Sequence, residues 1–308
     1  MRSINTKNPN VIQCKCGEII EYGTPDLVIE KTIRSTPYYA IGVKCPSCSE
    51  LHSVDVRKYD YSALIAPLRT TSKGFADLTP TEILEVFESG RAEEVFSTKD
   101  RRYITLKNGF VVELAPMGFY HDIMDNGERA PMTIGFVSLY GTDSKGGMTM
   151  NNTDTNEGGW ERSLLRKWLN NDFYELLPDE WKEVVVPVVK LTADNSGQIK
   201  QIVDRVFLLS EIEVIGEACK STRGEGEQYE LFKSWLNRVK GYSDSKSGRT
   251  YWLRSLSRRG DKSFCYIYSS GNSGTGKADY YYGIAPCIAI GRKKQQTEDS
   301  NKTSCISS

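Results

Sequence analysis

The sequence predicts an α+β protein built from two unequal units: a small cysteine-bearing β unit and, behind it, a larger mixed domain. Three observations predict this. The chain has 308 residues, more than one core usually organises. Four of its eight cysteines form two close pairs before residue 50. The remainder mixes helix-period and strand-period segments, with many short strands near the end. The boundaries read as a β unit over 1–57, a linker over 58–78, the larger domain over 79–291, and a disordered polar tail over 292–308 that cannot offset its own ordering entropy.

In the first unit, Cys14-Lys15-Cys16-Gly17 and Cys45-Pro46-Ser47-Cys48 are separated by apolar stretches, Leu27-Val28-Ile29 and Tyr38 to Val43. Two cysteine knuckles on β-hairpins are the layout of a zinc ribbon. Thiolates suit a tetrahedral Zn²⁺, and four of them leave no open position, so Cys14, Cys16, Cys45 and Cys48 predict a structural zinc site. A unit this small needs such a staple. His52 is expected to be a solvated strand histidine, with a ligand role as the alternative.

The larger domain opens on Thr79-Pro80-Thr81-Glu82, a capping box with proline at the first helical position, which predicts a helix from Pro80 towards Phe96. Asn108-Gly109 between apolar alternations predicts a β-hairpin. Leu165, Trp168, Leu169, Phe173 and Leu176 predict an amphipathic helix over 162–177, and Phe232, Trp235, Leu236 and Val239 a second one. Between them, residues 205–209 read as a strand and Ser210 to Glu213 as another capping box. Residues 251–290 read as short strands with long polar loops.

Composition excludes several classes. Lys plus Arg and Asp plus Glu both number 40, so no net charge steers the chain to nucleic acid or an anionic membrane. Residues 1–62 carry eight basic against seven acidic residues, without the footprint of a nucleic-acid-binding ribbon. No apolar run approaches the roughly 18 to 20 residues a membrane span needs. The chain is expected in the cytoplasm of the producing cell, with a phage particle as the alternative location. His121-Asp122 pairs an imidazole with a carboxylate and is expected to be an exposed turn or a loop-fixing contact. Gly271 to Gly276 lacks the Lys-Ser/Thr ending of a phosphate cradle. Asp261 and Asp279 alone do not make a calcium site.

Gly158-Gly159-Trp160-Glu161, Arg166, Trp168-Leu169-Asn170, Phe207 to Ser210, Tyr251-Trp252-Leu253-Arg254-Ser255 and Gly283-Ile284-Ala285-Pro286 follow one another in an order that resembles a bacterial and phage family. That family belongs to the C-type-lectin and formylglycine-generating-enzyme superfold and is similar to the variable target proteins of diversity-generating retroelements. The resemblance spans about residues 80–291 and implies a C-type-lectin-like domain with an exposed, loop-rich ligand face.

The residues fit such a face: Tyr251 to Tyr282 holds six Tyr, six Ser, four Gly and one Asn, the composition of an antibody paratope. Ser255, Ser257, Arg258, Arg259, Tyr266, Tyr268, Ser270, Asn272, Lys277, Asp279, Tyr280, Tyr281 and Tyr282 are its candidate contacts, for a protein or glycan ligand. Strand alternation should turn Tyr266 and Tyr268 outward and bury Cys265 and Ile267. Trp160, Trp168 and Trp252 are expected in the core, with Arg166 and Arg254 anchoring loops. The expected function is non-catalytic recognition or display. The alternatives are a copper and cysteine oxidase using Cys265 and Cys287, and a nucleic-acid or regulatory factor acting through the ribbon.

Overall fold

The computed structural model of the protein describes residues 11–21, 27–31, 39–53, 73–144, 146–245, 247–260 and 262–293, in two units that divide between Lys73 and Gly74. Residues 54–57 of the expected β unit, 58–72 of the expected linker, the tail from 294 onwards, and Asp261 lie outside the described residues.

The first unit contains two antiparallel sheets. One pairs β1 (Val11–Gln13) with β2 (Ile19–Glu21), and the other orders β3 (Leu27–Lys31), β4 (Tyr39–Lys44) and β5 (Leu51–Ser53) side by side. Each cysteine knuckle occupies a turn between paired strands. Gly17 at φ +95° closes the first and Ser49 at φ +61° the second, with amides returning to the carbonyls of Cys14 and Cys45 at 2.9 and 2.8 Å. Left-handed backbone is what lets so short a loop reverse direction.

The second unit starts earlier than the sequence indicated, because Phe75 and Leu78 enter its core. The capping box then starts α1 (Pro80–Glu88), with the Glu82 amide donating to the Thr79 hydroxyl at 3.2 Å and the Thr79 amide to the Glu82 carboxylate at 2.7 Å. The predicted single helix to Phe96 is broken after Ser89. Gly90 sits at φ +73°, and the chain resumes as one turn, α2 (Ala92–Val95).

Beyond it, β6 (Arg102–Thr105) and β7 (Val111–Phe119) form the predicted hairpin, Thr105 facing Val111 and Gly109 at φ +87°. With β9 (Met132–Phe136), β10 (Val185–Val186), β13 (Val206–Phe207) and β17 (Cys287–Ile290) they make the main antiparallel sheet, ordered β10-β17-β9-β7-β6 with β13 also on β17. Two three-stranded sheets are inserted between its strands in sequence: β8 (Ile123–Met124), β11 (Val188–Ala193) and β12 (Ile199–Asp204), then β14 (Tyr251–Leu256), β15 (Ser263–Ile267) and β16 (Ser273–Lys277).

The helices are short. α3 (Gly159–Arg162) precedes α4 (Leu164–Trp168), a π turn over Leu169–Phe173 and α5 (Tyr174–Leu176), then α6 (Asp179–Val184) and α7 (Glu211–Ile215). Asn170 on the π turn fixes the start of β13: its amide donates to the Val206 carbonyl at 2.9 Å and its oxygen accepts from the Arg205 amide at 2.8 Å. That clamp explains why only two residues of the expected strand at 205–209 pair regularly.

The second predicted amphipathic helix does not form. Glu230–Lys233 and Trp235–Arg238 are separate 3₁₀ turns, with Phe232 buried but Trp235 and Leu236 47 % and 66 % exposed. Three residues per turn cannot keep the i, i+3, i+4 set on one face, and Lys240 is drawn inward to donate to the Phe136 carbonyl at 2.6 Å. Trp160, Trp252, Trp181 and Tyr229 fill the centre of the core, while Trp168 is only partly covered.

Candidate metal centre and ligand face

The first unit brings Cys14, Cys16, Cys45 and Cys48 together, their sulfurs all within 4.8 Å of one another. Cys14 and Cys48 are 3.4 Å apart and Cys16 and Cys45 3.5 Å, close to the ~3.8 Å edge of a sulfur tetrahedron around zinc. Ser47 ties the knuckles together by donating to Glu18 at 2.6 Å. Burial opposes ionisation of Cys45, yet the backbone of Cys48 and Ser47 hydrogen-bonds its sulfur and brings it down to about 7. At Cys14 the Cys16 backbone favours the thiolate, but burial and the neighbouring thiols outweigh it and push the group up to about 12. Four thiols this close cannot all ionise without a cation among them, so the set could hold a metal such as zinc. The sequence reading missed Glu50, which with His52 and Cys14 forms an overlapping group within 4.8 Å. His52 is half-buried, not solvated, because Val43 opposite it on β4 is covered.

In the second unit His121-Asp122 is not an exposed turn; of the two expectations the loop-fixing contact holds, with Asp122 at the end of a buried charge network. Asp122 accepts from Lys190 at 2.6 Å, from the Tyr229 hydroxyl at 2.6 Å and from the Thr133 hydroxyl. Lys190 also pairs with Glu213 at 2.7 Å, and Glu213 takes a bidentate contact from Arg254. The Arg254 guanidinium donates further to the carbonyls of Leu208, Leu191 and Glu225. Burial alone would keep Glu213 protonated, but Arg254 and Lys190 overcome it and hold the carboxyl at about 2. Arg254 is therefore the loop anchor the sequence indicated. Its carboxylate partner could not be read from spacing, since Glu213 lies 41 positions away. Arg166 anchors in the same way, through Asp204 at 2.7 Å and the Glu161 and Val203 carbonyls.

The candidate ligand residues divide. Arg258, Arg259, Tyr268, Ser270, Asn272, Lys277, Tyr280 and Tyr281 are exposed, and Asp279 and Tyr282 are partly so. Ser255, Ser257 and Tyr266 are buried, which corrects the expectation that all three face solvent. The reason is that every residue of β14 and β15 is covered, so alternation has no solvent side to select. Ser255 accepts from the Glu211 amide at 2.9 Å instead.

Tyr266 lies across β16, where a Cβ at Gly274 would come within 2.6 Å of its ring. It meets Tyr268 edge-on at 4.8 Å and Tyr282 at 4.9 Å; Tyr282 in turn contacts Trp252 at 4.6 Å and Tyr280 at 6.1 Å. Tyr268 and Tyr280, exposed by 45 % and 46 %, thus belong to one continuous ring cluster, and Tyr281, 75 % exposed, lies next to Tyr280 in the chain. Trp235, which the sequence reading placed on a helix, packs beside Gly271. Tyr281 and Tyr282 also line a cleft of about 640 Å³ with Tyr242 and the Asp143–Arg249 ion pair. Arg258 lines a different cleft, with Asn156, Asp194 and Asn195. Cys265 and Cys287 are both buried, each pointing its sulfur at a backbone carbonyl, of Leu256 and Ala285 respectively.

The structure thus defines a two-unit protein, a β unit with a four-cysteine cluster that could hold a metal and a mixed α/β domain made mostly of sheet. No helix of the described residues is long and apolar enough to cross a membrane. The family described as Domain of unknown function (DUF6273) matches residues 138–291, and the chain belongs to that family. No curated protein and no solved structure matches the chain. The matched span holds Lys190, Glu213, Arg254 and the ring cluster, while Asp122 and Thr133 of the charge network precede it.

Proposed function

We propose that this protein is a non-catalytic recognition or display protein, in which a C-type-lectin-like domain presents the tyrosine face to a protein or glycan and a structural zinc holds the N-terminal ribbon. The observation that carries the reading is the continuous ring cluster, with exposed Tyr268 and Tyr280 joined through Tyr266 and Tyr282 to a buried Trp252 and with the exposed Tyr281 next in the chain. Tyrosine gives broad amphipathic contact at low entropy cost, and a rigid backing avoids ordering on binding. Tyr268, Ser270, Asn272, Tyr280, Tyr281 and Tyr282 are its contacts. A role as a retroelement-diversified or phage variable protein is the finer form of the same reading.

The test is binding of the full chain to a glycan array and to a displayed peptide library, compared with the Y268A/Y280A/Y281A variant. The variant should lose the signal while its thermal midpoint stays within about 2 °C, since exposed rings contribute little to folding. Retained binding, or loss only in step with unfolding, would remove the face from the account.

A further inference from the structure

A second cleft, of about 610 Å³, opens between the end of β7, β8, β11 and the loop at Gly226-Glu227. That volume suits a small ligand or a single side chain. Asp122, Lys190 and Glu213 form its floor, each buried and paired within the charge network, so the floor is rigid and its charges are already balanced. What remains free stands at the mouth. Asp125 and Glu227 are exposed, and neither side chain has a hydrogen bond or ion pair among the described residues. The one guanidinium in the lining, Arg129, already donates to the carbonyls of Tyr120 and His121 at 2.8 and 3.1 Å.

The walls are aromatic. Phe119 is partly buried, Tyr120 is 49 % exposed, and the His121 ring stacks on Tyr229 at 3.8 Å. Tyr120 is held at φ +49°, a conformation costly for a non-glycine residue and a recurrent mark of ligand sites. Burial lowers the affinity of His121 for a proton, so at neutral pH it offers a ring face and no repelling charge. Unpaired carboxylates beside ring faces attract a cation by charge and by the ring quadrupole together. An anionic ligand would meet two like charges there.

We propose that this cleft is a ligand site for one ammonium or guanidinium group carried on an apolar stem, such as an arginine side chain of a peptide. The site shares no residue with the tyrosine face, and the two readings stand or fall separately.

Calorimetric titration of the full chain with Nα-acetyl-arginine amide, Nα-acetyl-norleucine amide and Nα-acetyl-glutamate amide tests it. The arginine probe should bind at least about tenfold more tightly than the norleucine probe, and the glutamate probe should not bind. D125N/E227Q should weaken the arginine probe about fivefold or more by removing the charges. Tyr120→Gly should do so by removing a ring at a position whose backbone glycine tolerates, leaving the fold in place. Equal binding of the norleucine probe, unchanged affinity in both variants, or no heat at millimolar arginine probe would each overturn the proposal.

Discussion

Lys240 is the residue whose charge the fold accommodates least well. It is buried, its ammonium donates to the Phe136 carbonyl and lies 5.4 Å from the centre of the Phe232 ring, and burial lowers it from 10.5 to about 8. Below pH 8 both folded and unfolded chains carry the proton, and the full penalty, about 3 kcal/mol, is present. Between pH 8 and 10.5 the unfolded chain holds the proton more tightly, so stability rises with pH. Lys240→Met should therefore raise the urea midpoint at pH 7 and flatten that rise. Glu213 has the opposite sign: its folded carboxyl, at about 2 against an ordinary 4.5, contributes stability above pH 4.5 that is lost as pH falls towards 2. Glu213→Ala leaves Lys190 and Arg254 buried without this partner and should destabilise by about 3–5 kcal/mol in chemical denaturation. A loss under 1 kcal/mol would mean that the network does not hold the fold together.

Among the elements, β16 shows how packing selects sequence. Gly274 and Gly276 leave the strand bare so that the Tyr266 ring can lie across it, and a methyl group at Gly274 would meet that ring at 2.6 Å. Gly274→Ala should cost about 1–3 kcal/mol and push Tyr266 out of its contacts with Trp252 and Tyr282, a change that near-ultraviolet circular dichroism would register. Unaltered spectra would mean that the ring does not rest there. Sequence reading saw these glycines as a failed phosphate cradle and as part of a paratope-like composition, not as room for a ring. It did predict α1, the β6–β7 hairpin and the capping box of α7, because each is written in a few adjacent residues. It overextended α1 across Gly90 and gave Trp235 and Leu236 a helix, because periodicity carries no record of which carbonyls the neighbouring strands will claim.

At the scale of the whole molecule, the first unit gathers four cysteines that could hold a metal, and the second has a continuous apolar core. Elemental analysis of purified protein should find about one zinc per chain, falling towards zero in Cys45→Ser. Chelation should abolish the hydrogen-exchange protection of the first unit while the second keeps its own, since only the first depends on metal for a core. Loss of both together would show that the second unit depends on the metal.

By itself the sequence determined the two-unit division, the four clustered cysteines, the burial of Trp160 and Trp252 and the tyrosine-rich segment, all of which rest on residue type or short spacing. Only the tertiary structure decided that Ser255, Ser257 and Tyr266 are covered, that Trp235 packs beside Gly271, and that Asp122, Lys190, Glu213 and Arg254 meet. Those outcomes depend on which strands pack against one another across long sequence separations. A charge can be kept in the interior only where another element delivers its partner.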